Sequence, residues 1–170
     1  MVTKLDKTAE NVVQLLKERG LTAATAESCT GGLISAEITS VSGSSDVFGF
    51  GVCTYANEAK MKLLGVSAET LSTVGAVSGE TACQMAEGVR KLSGADIAVS
   101  VTGIAGPTGG TPEKPVGTVY IGVSTEKITK AEKYLFTGEK FPEAENPREA
   151  IRFETTLTAL ETILREVQTI

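Results

Sequence analysis

Histidine is absent from the 170 residues. The usual proton acceptor of a serine nucleophile is therefore excluded. Cysteine is scarce: Cys29, Cys53 and Cys83 form an odd, widely spaced set without a Cys-x-x-Cys pair. That arithmetic supports neither a disulfide framework nor a zinc site, and it fits reduced thiols. Positive charge is also short. Sixteen Lys and Arg against 21 Asp and Glu leave a formal net charge of −5. A nucleic-acid binder needs a basic surface, so that class is disfavoured, although a local basic pocket for one phosphate stays open. No apolar run approaches membrane-spanning length, and the opening Met1-Val2-Thr3-Lys4-Leu5-Asp6-Lys7 carries no apolar signal core. The expectations are a cytoplasmic protein with no membrane or nucleic-acid partner, no metal and no cofactor.

What is present suits one domain across residues 1–170, with 41% hydrophobic and 22% charged residues. Leu5, Ala9, Val12, Val13 and Leu16 recur at helical spacing up to Gly20. Leu21 to Ala26 reads as a strand, and a second helix follows Gly31 as far as Ser42-Gly43. Phe48 to Tyr55 reads as the next strand. Asn57 is the expected cap of a helix from Glu58 to Leu64, Ser67 of a short helix ending at Gly75, and Ser78 of a longer one. Asp96 to Thr102, Gly117 to Thr125 and Lys130 to Phe136 read as strands, the last two as a hairpin. Asn146-Pro147-Arg148-Glu149 is a helix start with a cap, a proline at the first position and an acid at the third. Phe153, Leu157, Leu160, Leu164 and Val167 form the expected buried stripe of that helix. Alternating helices and strands imply an α/β fold, a three-layer α/β/α sandwich whose mixed, mostly parallel sheet has about five or six strands.

The candidate chemistry starts at Ala26-Glu27-Ser28-Cys29-Thr30-Gly31-Gly32, a serine at a strand-to-helix turn. Ser28 reads either as an N-cap or as a nucleophile whose oxyanion is held by backbone N–H groups of Thr30, Gly31 and Gly32. Cys29 competes for the nucleophile's role, since a helix start can lower a thiol pKa. With no histidine, a lysine is the natural base. Lys60 lies near a helix start, where the dipole disfavours an ammonium and burial would do the same; the alternative is a solvated surface lysine. Tyr55 reads as a hydrogen-bond partner of that lysine or serine, or as a core-edge aromatic. Thr102 ends a strand and opens a long loop, Gly103 to Val116, with four glycines and three prolines, a composition expected of a binding loop. Ser28, Tyr55 and Thr102 all fall at expected strand ends, which gather on one edge if the strands are parallel neighbours. Arg148 and Arg152 share a helix face, and either a phosphate or a surface acid pairs with them.

Together with Thr54-Tyr55-Ala56-Asn57-Glu58-Ala59-Lys60, Gly75-Ala76-Val77-Ser78, Gly103-Ile104-Ala105-Gly106-Pro107-Thr108-Gly109-Gly110 and Lys114-Pro115-Val116-Gly117-Thr118-Val119, the serine motif resembles the C-terminal domain of the CinA family. The resemblance spans nearly the whole chain and looks like the stand-alone, nicotinamide-nucleotide amidohydrolase form. It implies hydrolysis of the carboxamide of nicotinamide mononucleotide, a small-molecule nucleotide substrate, in pyridine nucleotide salvage, with Ser28 as nucleophile, Lys60 as base and no metal. It places Tyr55 and Thr102 at supporting positions and implies a homodimer. The glycine loop, Gly103 and Gly106 included, would admit the ribose or ring, and Arg148 the phosphate. Two other classes remain: a competence- or DNA-damage-related interaction module and a nucleotide sensor without turnover.

Overall fold

Thr3 caps the first helix. The structure is a computed structural model that describes residues 3–170. The Thr3 side chain accepts from the Asp6 N–H, and the Asp6 carboxylate accepts from the Thr3 N–H, a reciprocal cap that starts helix α1 (Lys4–Arg19). The elements that follow are β1 (Ala23–Glu27), α2 (Leu33–Ser40), β2 (Phe48–Cys53), α3 (Asn57–Leu64), α4 (Ala68–Thr73), α5 (Gly79–Ser93), β3 (Ile97–Gly103), β4 (Thr118–Thr125), β5 (Thr129–Leu135) and α6 (Pro147–Val167). A single sheet of five strands has the order β2-β1-β3-β4-β5. β1 runs parallel to both β2 and β3, while β4 is antiparallel to β3 and β5. β4 alone is reversed, and the other strands point the same way.

The two faces of the sheet are built differently. Ile97, Val99, Val101, Val119, Ile121 and Val123 meet α1, α2 and α6 in the larger core. The other face offers Ala24, Ala26 and Ala98 to Met85 and Val89 of α5 and to Leu64 of α3. Small residues there let α5 lie close: Ser100 Oγ donates to the Ala82 carbonyl at 2.6 Å, and a Cβ on Gly122 would stand 2.4 Å from that oxygen. The result is the expected sandwich, with the C-terminal ends of β1, β2 and β3 side by side. No described helix is long and apolar enough to cross a membrane.

Two local expectations shift. Helix α3 begins at Asn57 rather than Glu58, with Ala56 as the N-cap and no side-chain cap. Ala56 is the last extended residue, and the Thr54 and Tyr55 carbonyls before it accept from the Lys60 amine. On α6, Leu157, Leu160 and Val167 are buried as expected, but Phe153 and Leu164 are only partly covered, and Ile151 and Ile163 are buried instead. α6 packs against α1, α2 and the sheet together, so its buried band is wider than one stripe.

Candidate active site

The serine motif forms a tight turn between β1 and α2. Gly31 and Gly32 adopt left-handed backbone conformations, with φ of 62° and 103°, which a side chain at either position would oppose. Glu27, fully buried, turns its carboxylate into the start of α2. It accepts from Thr30 Oγ1 and from the N–H groups of Gly32, Ile34 and Ser35. Ser28 is half-buried, and its N–H donates to the Val101 carbonyl at 3.1 Å. The turn is therefore tied to the neighbouring strand.

Lys60 reaches the same point from α3. It is 1% exposed, and its Nζ lies 3.0 Å from Ser28 Oγ, 2.7 Å from the Thr54 carbonyl oxygen and 3.1 Å from that of Tyr55. Every partner is a neutral oxygen. Burial lowers the amine below the ordinary lysine range, against an opposing effect of Cys29. A neutral amine has two hydrogens and one lone pair. The two carbonyls accept the hydrogens, and the lone pair is left facing the serine hydroxyl.

Cys29, next in the chain, is buried, and desolvation is the main cause that pushes its thiol up to about 12. A thiol with so little thiolate is a poor nucleophile. The hydroxyl and not the thiol is aimed at the lysine.

Tyr55 corrects one expectation. Its main-chain carbonyl serves Lys60, but the residue is 63% exposed and its hydroxyl accepts from Arg148 Nη2 at 3.1 Å. Arg148 Nη1 also donates to the Gly106 carbonyl. The result is a bridge from the end of β2 to the glycine loop. A cavity of about 230 Å³ lies here, lined by Tyr55, Cys29, Arg148 and the loop from Gly103 to Gly109.

Thr102 corrects another. It is buried at the end of β3, but its hydroxyl donates to the Ala76 carbonyl at 2.7 Å rather than to either dyad member. With Lys114 Nζ, which donates to the Val74 and Val77 carbonyls, it anchors the turn before α5 beside the glycine loop. The oxyanion donors differ as well. The Gly31 N–H donates to the Ser28 carbonyl and the Gly32 N–H to Glu27. Among the described residues, the N–H groups of Cys29 and Thr30 donate to no other residue. Arg152 donates to the Cys29 and Thr30 carbonyls at 3.2 and 2.7 Å. In a trans peptide C=O and N–H are opposed, so the bond to the Cys29 carbonyl turns the Thr30 N–H away from the guanidinium.

The profile of the CinA C-terminal domain matches residues 5–167. The chain belongs to the CinA C-terminal domain family. A CinA-like protein of Geobacter sulfurreducens is 48% identical over 170 residues, which is 99% of this chain and 39% of the relative. A CinA-like protein of Kosmotoga olearia is 56% identical over 131 residues, 77% of this chain and 32% of the relative. The chain thus spans well under half the length of the curated relatives it matches. Among solved structures, the competence/damage inducible protein CihA from Agrobacterium tumefaciens superimposes with a TM-score of 0.88 at 41% identity, covering 96% of this chain and 95% of that one. A CinA superfamily protein from Klebsiella pneumoniae gives 0.89 at 31% identity, covering 98% and 99%.

One group in this CinA domain lies outside the sequence-derived site, the Glu27 carboxylate, and Arg152, expected to meet a phosphate or a surface acid, instead clamps the Cys29 and Thr30 carbonyls. An acid directly before the serine, at a strand end that feeds a helix, was the available signal for Glu27. Nothing local distinguished Arg152 from Arg148.

Proposed function

We propose that this CinA domain hydrolyses the carboxamide of nicotinamide mononucleotide, giving nicotinate mononucleotide and ammonia, through Ser28 and Lys60. The observation that carries the proposal is the buried Lys60 amine 3.0 Å from Ser28 Oγ, with its other two partners both backbone carbonyls. A binding module has no use for a lysine stripped of counter-charge and held at a hydroxyl.

Neutral Lys60 takes the Ser28 proton as Oγ bonds to the carboxamide carbon. The oxyanion is held by the N–H groups of Cys29 and Thr30. Lys60 returns the proton to the departing nitrogen, the C–N bond breaks, and ammonia leaves. Water then attacks the nicotinoyl ester, giving its proton to Lys60, and Ser28 is released with that proton. Arg148 exchanges its bonds to the Tyr55 hydroxyl and Gly106 carbonyl for the substrate phosphate, a stronger, charge-assisted acceptor. Tyr55 covers the cavity mouth, and Thr102 and Lys114 hold the flanking turn.

The test is ammonia release from nicotinamide mononucleotide by the wild-type and Ser28→Ala proteins, with a chelator present. Turnover that survives the chelator and disappears in Ser28→Ala supports the proposal. Binding of the nucleotide with no ammonia from the wild type returns the domain to the sensing or interaction classes.

A further inference from the structure

Glu27 is fully buried with no salt bridge to it among the described residues. Five donors surround its carboxylate. Oε2 accepts from Thr30 Oγ1 (2.7 Å), Gly32 N–H (2.9 Å) and Ile34 N–H (3.1 Å). Oε1 accepts from Ser35 N–H (2.9 Å) and Ser35 Oγ (2.7 Å). Three of the five are backbone N–H groups, which can only donate, and two are hydroxyls.

The backbone N–H groups involved are those that the first turn of α2 leaves without an intrahelical partner. A helix that needs only a cap carries Ser, Thr, Asp or Asn at the N-cap. Here Gly32 occupies the N-cap without a side-chain bond, and the capping group comes from the residue before the serine. The start of α2 and the position of Ser28 are thereby tied to one side chain. From the opposite side, Arg152 holds the Cys29 and Thr30 carbonyls. The turn is fixed through its donors by Glu27 and through its acceptors by Arg152.

We propose that Glu27 is a positioning residue for the nucleophile. Its buried carboxylate holds the Ser28–Gly32 turn so that Ser28 Oγ stays at Lys60 Nζ and the Cys29 and Thr30 N–H groups keep their place for the oxyanion. The proposal rests on Ser28 being the nucleophile, but not on which amide is hydrolysed. A misplacement of about 1 Å can cost on the order of 100-fold in rate, so a small slip of this turn would be felt.

The experiment compares wild type with Glu27→Gln. In either amide orientation, an NH2 group then faces backbone or hydroxyl donors. Phenylmethylsulfonyl fluoride reports Ser28 reactivity by intact mass, with Ser28→Ala as the blank, independently of any nucleotide. In Glu27→Gln, labelling should slow about tenfold or more and kcat on nicotinamide mononucleotide should fall about 10- to 100-fold. KM should hold, because neither Arg148 nor the glycine loop touches Glu27. The acid limb of the kcat pH profile should also stay in place, because the partners of Lys60 do not change. A Glu27→Gln protein that melts with wild type and labels at the wild-type rate overturns the proposal. So does a displaced acid limb with an undiminished plateau, which would make Glu27 a charge partner of Lys60. If Glu27→Gln does not fold, Ser35→Ala removes one side-chain donor to the same carboxylate: slowed labelling supports the proposal, and unchanged labelling overturns it. Ser28 labelling that depends on Glu27, in a wild type that releases no ammonia, sinks only the substrate assignment. A wild-type Ser28 inert to the reagent overturns both.

Discussion

Arg148 and Arg152 stand one helical turn apart on α6 and hold different walls of the same site. Arg152 Nη2 donates to the Thr30 carbonyl at 2.7 Å, behind the serine. Arg148 Nη2 donates to the Tyr55 hydroxyl at 3.1 Å, across the cavity mouth. Equal spacing and equal charge conceal unequal tasks.

Their truncations should therefore separate kinetically. Arg148→Ala removes the proposed phosphate partner, and a charge-assisted hydrogen bond contributes about 1.5–3 kcal/mol, so KM for the mononucleotide should rise about 10- to 100-fold with kcat largely kept. Arg152→Ala releases the two carbonyls, so kcat and melting temperature should fall while KM holds. Steady-state kinetics and thermal unfolding on the two proteins decide it.

Ser28→Ala and Lys60→Met should each reduce ammonia release by about 10³-fold or more, with the double variant little worse, because groups acting as a unit are not additive. Lys60→Arg should not restore activity, since a guanidinium keeps its proton. Cys29→Ala should stay active, its thiol being buried and pushed up to about 12. A dead Cys29→Ala beside an active Ser28→Ala would move the nucleophile to sulfur.

The lowered Lys60 pKa sets two pH dependences. Activity should climb with pH as the amine loses its proton and level off below the ordinary lysine value of 10.5. Stability carries the same sign. Between the lowered folded value and 10.5 the unfolded chain binds more protons, so stability rises with pH through that window. As pH falls through the folded value, this contribution is lost. Urea unfolding of wild type against Lys60→Met, from about pH 7 to about pH 10, should show the difference moving in favour of wild type as pH rises.

Gly88→Ala should destabilise the fold despite alanine's better helix propensity. A Cβ there would sit 2.0 Å from the Leu64 carbonyl oxygen, where α3 crosses α5. Overpacking of this kind costs about 1–3 kcal/mol, more than the propensity gain of about 1 kcal/mol. Denaturant unfolding measures it.

Periodicity and caps made the architecture legible. The Asn146 cap and Gly20 stop fall where the residues placed them, and the strands that lead into Ser28 and Tyr55 and the one that carries Thr102 are parallel and adjacent in the order β2-β1-β3, as their convergence required. The Ser28–Lys60 pair could be anticipated because the absence of histidine removed its main competitor. What stayed hidden was direction. Whether the Tyr55 ring or its carbonyl meets the lysine depends on where β2 ends, and boundaries are the weakest part of a periodicity argument. The Thr102 hydroxyl bonds a residue 26 positions away, and no local pattern encodes that. No local pattern marks Glu27, because most of its partners are main-chain groups of a turn whose shape depends on Gly31 and Gly32.

Lysine and both carbonyls that cradle its amine come from Thr54 to Lys60, one short continuous stretch, whereas the hydroxyl arrives from a separate strand. What joins the halves is the ladder pairing Glu27 with Cys53. Among the described residues, β2 has a neighbour strand on one side only. The proposed reactivity therefore hangs on the sheet's margin, and fraying there would silence the pair while the central strands and α6 remained intact.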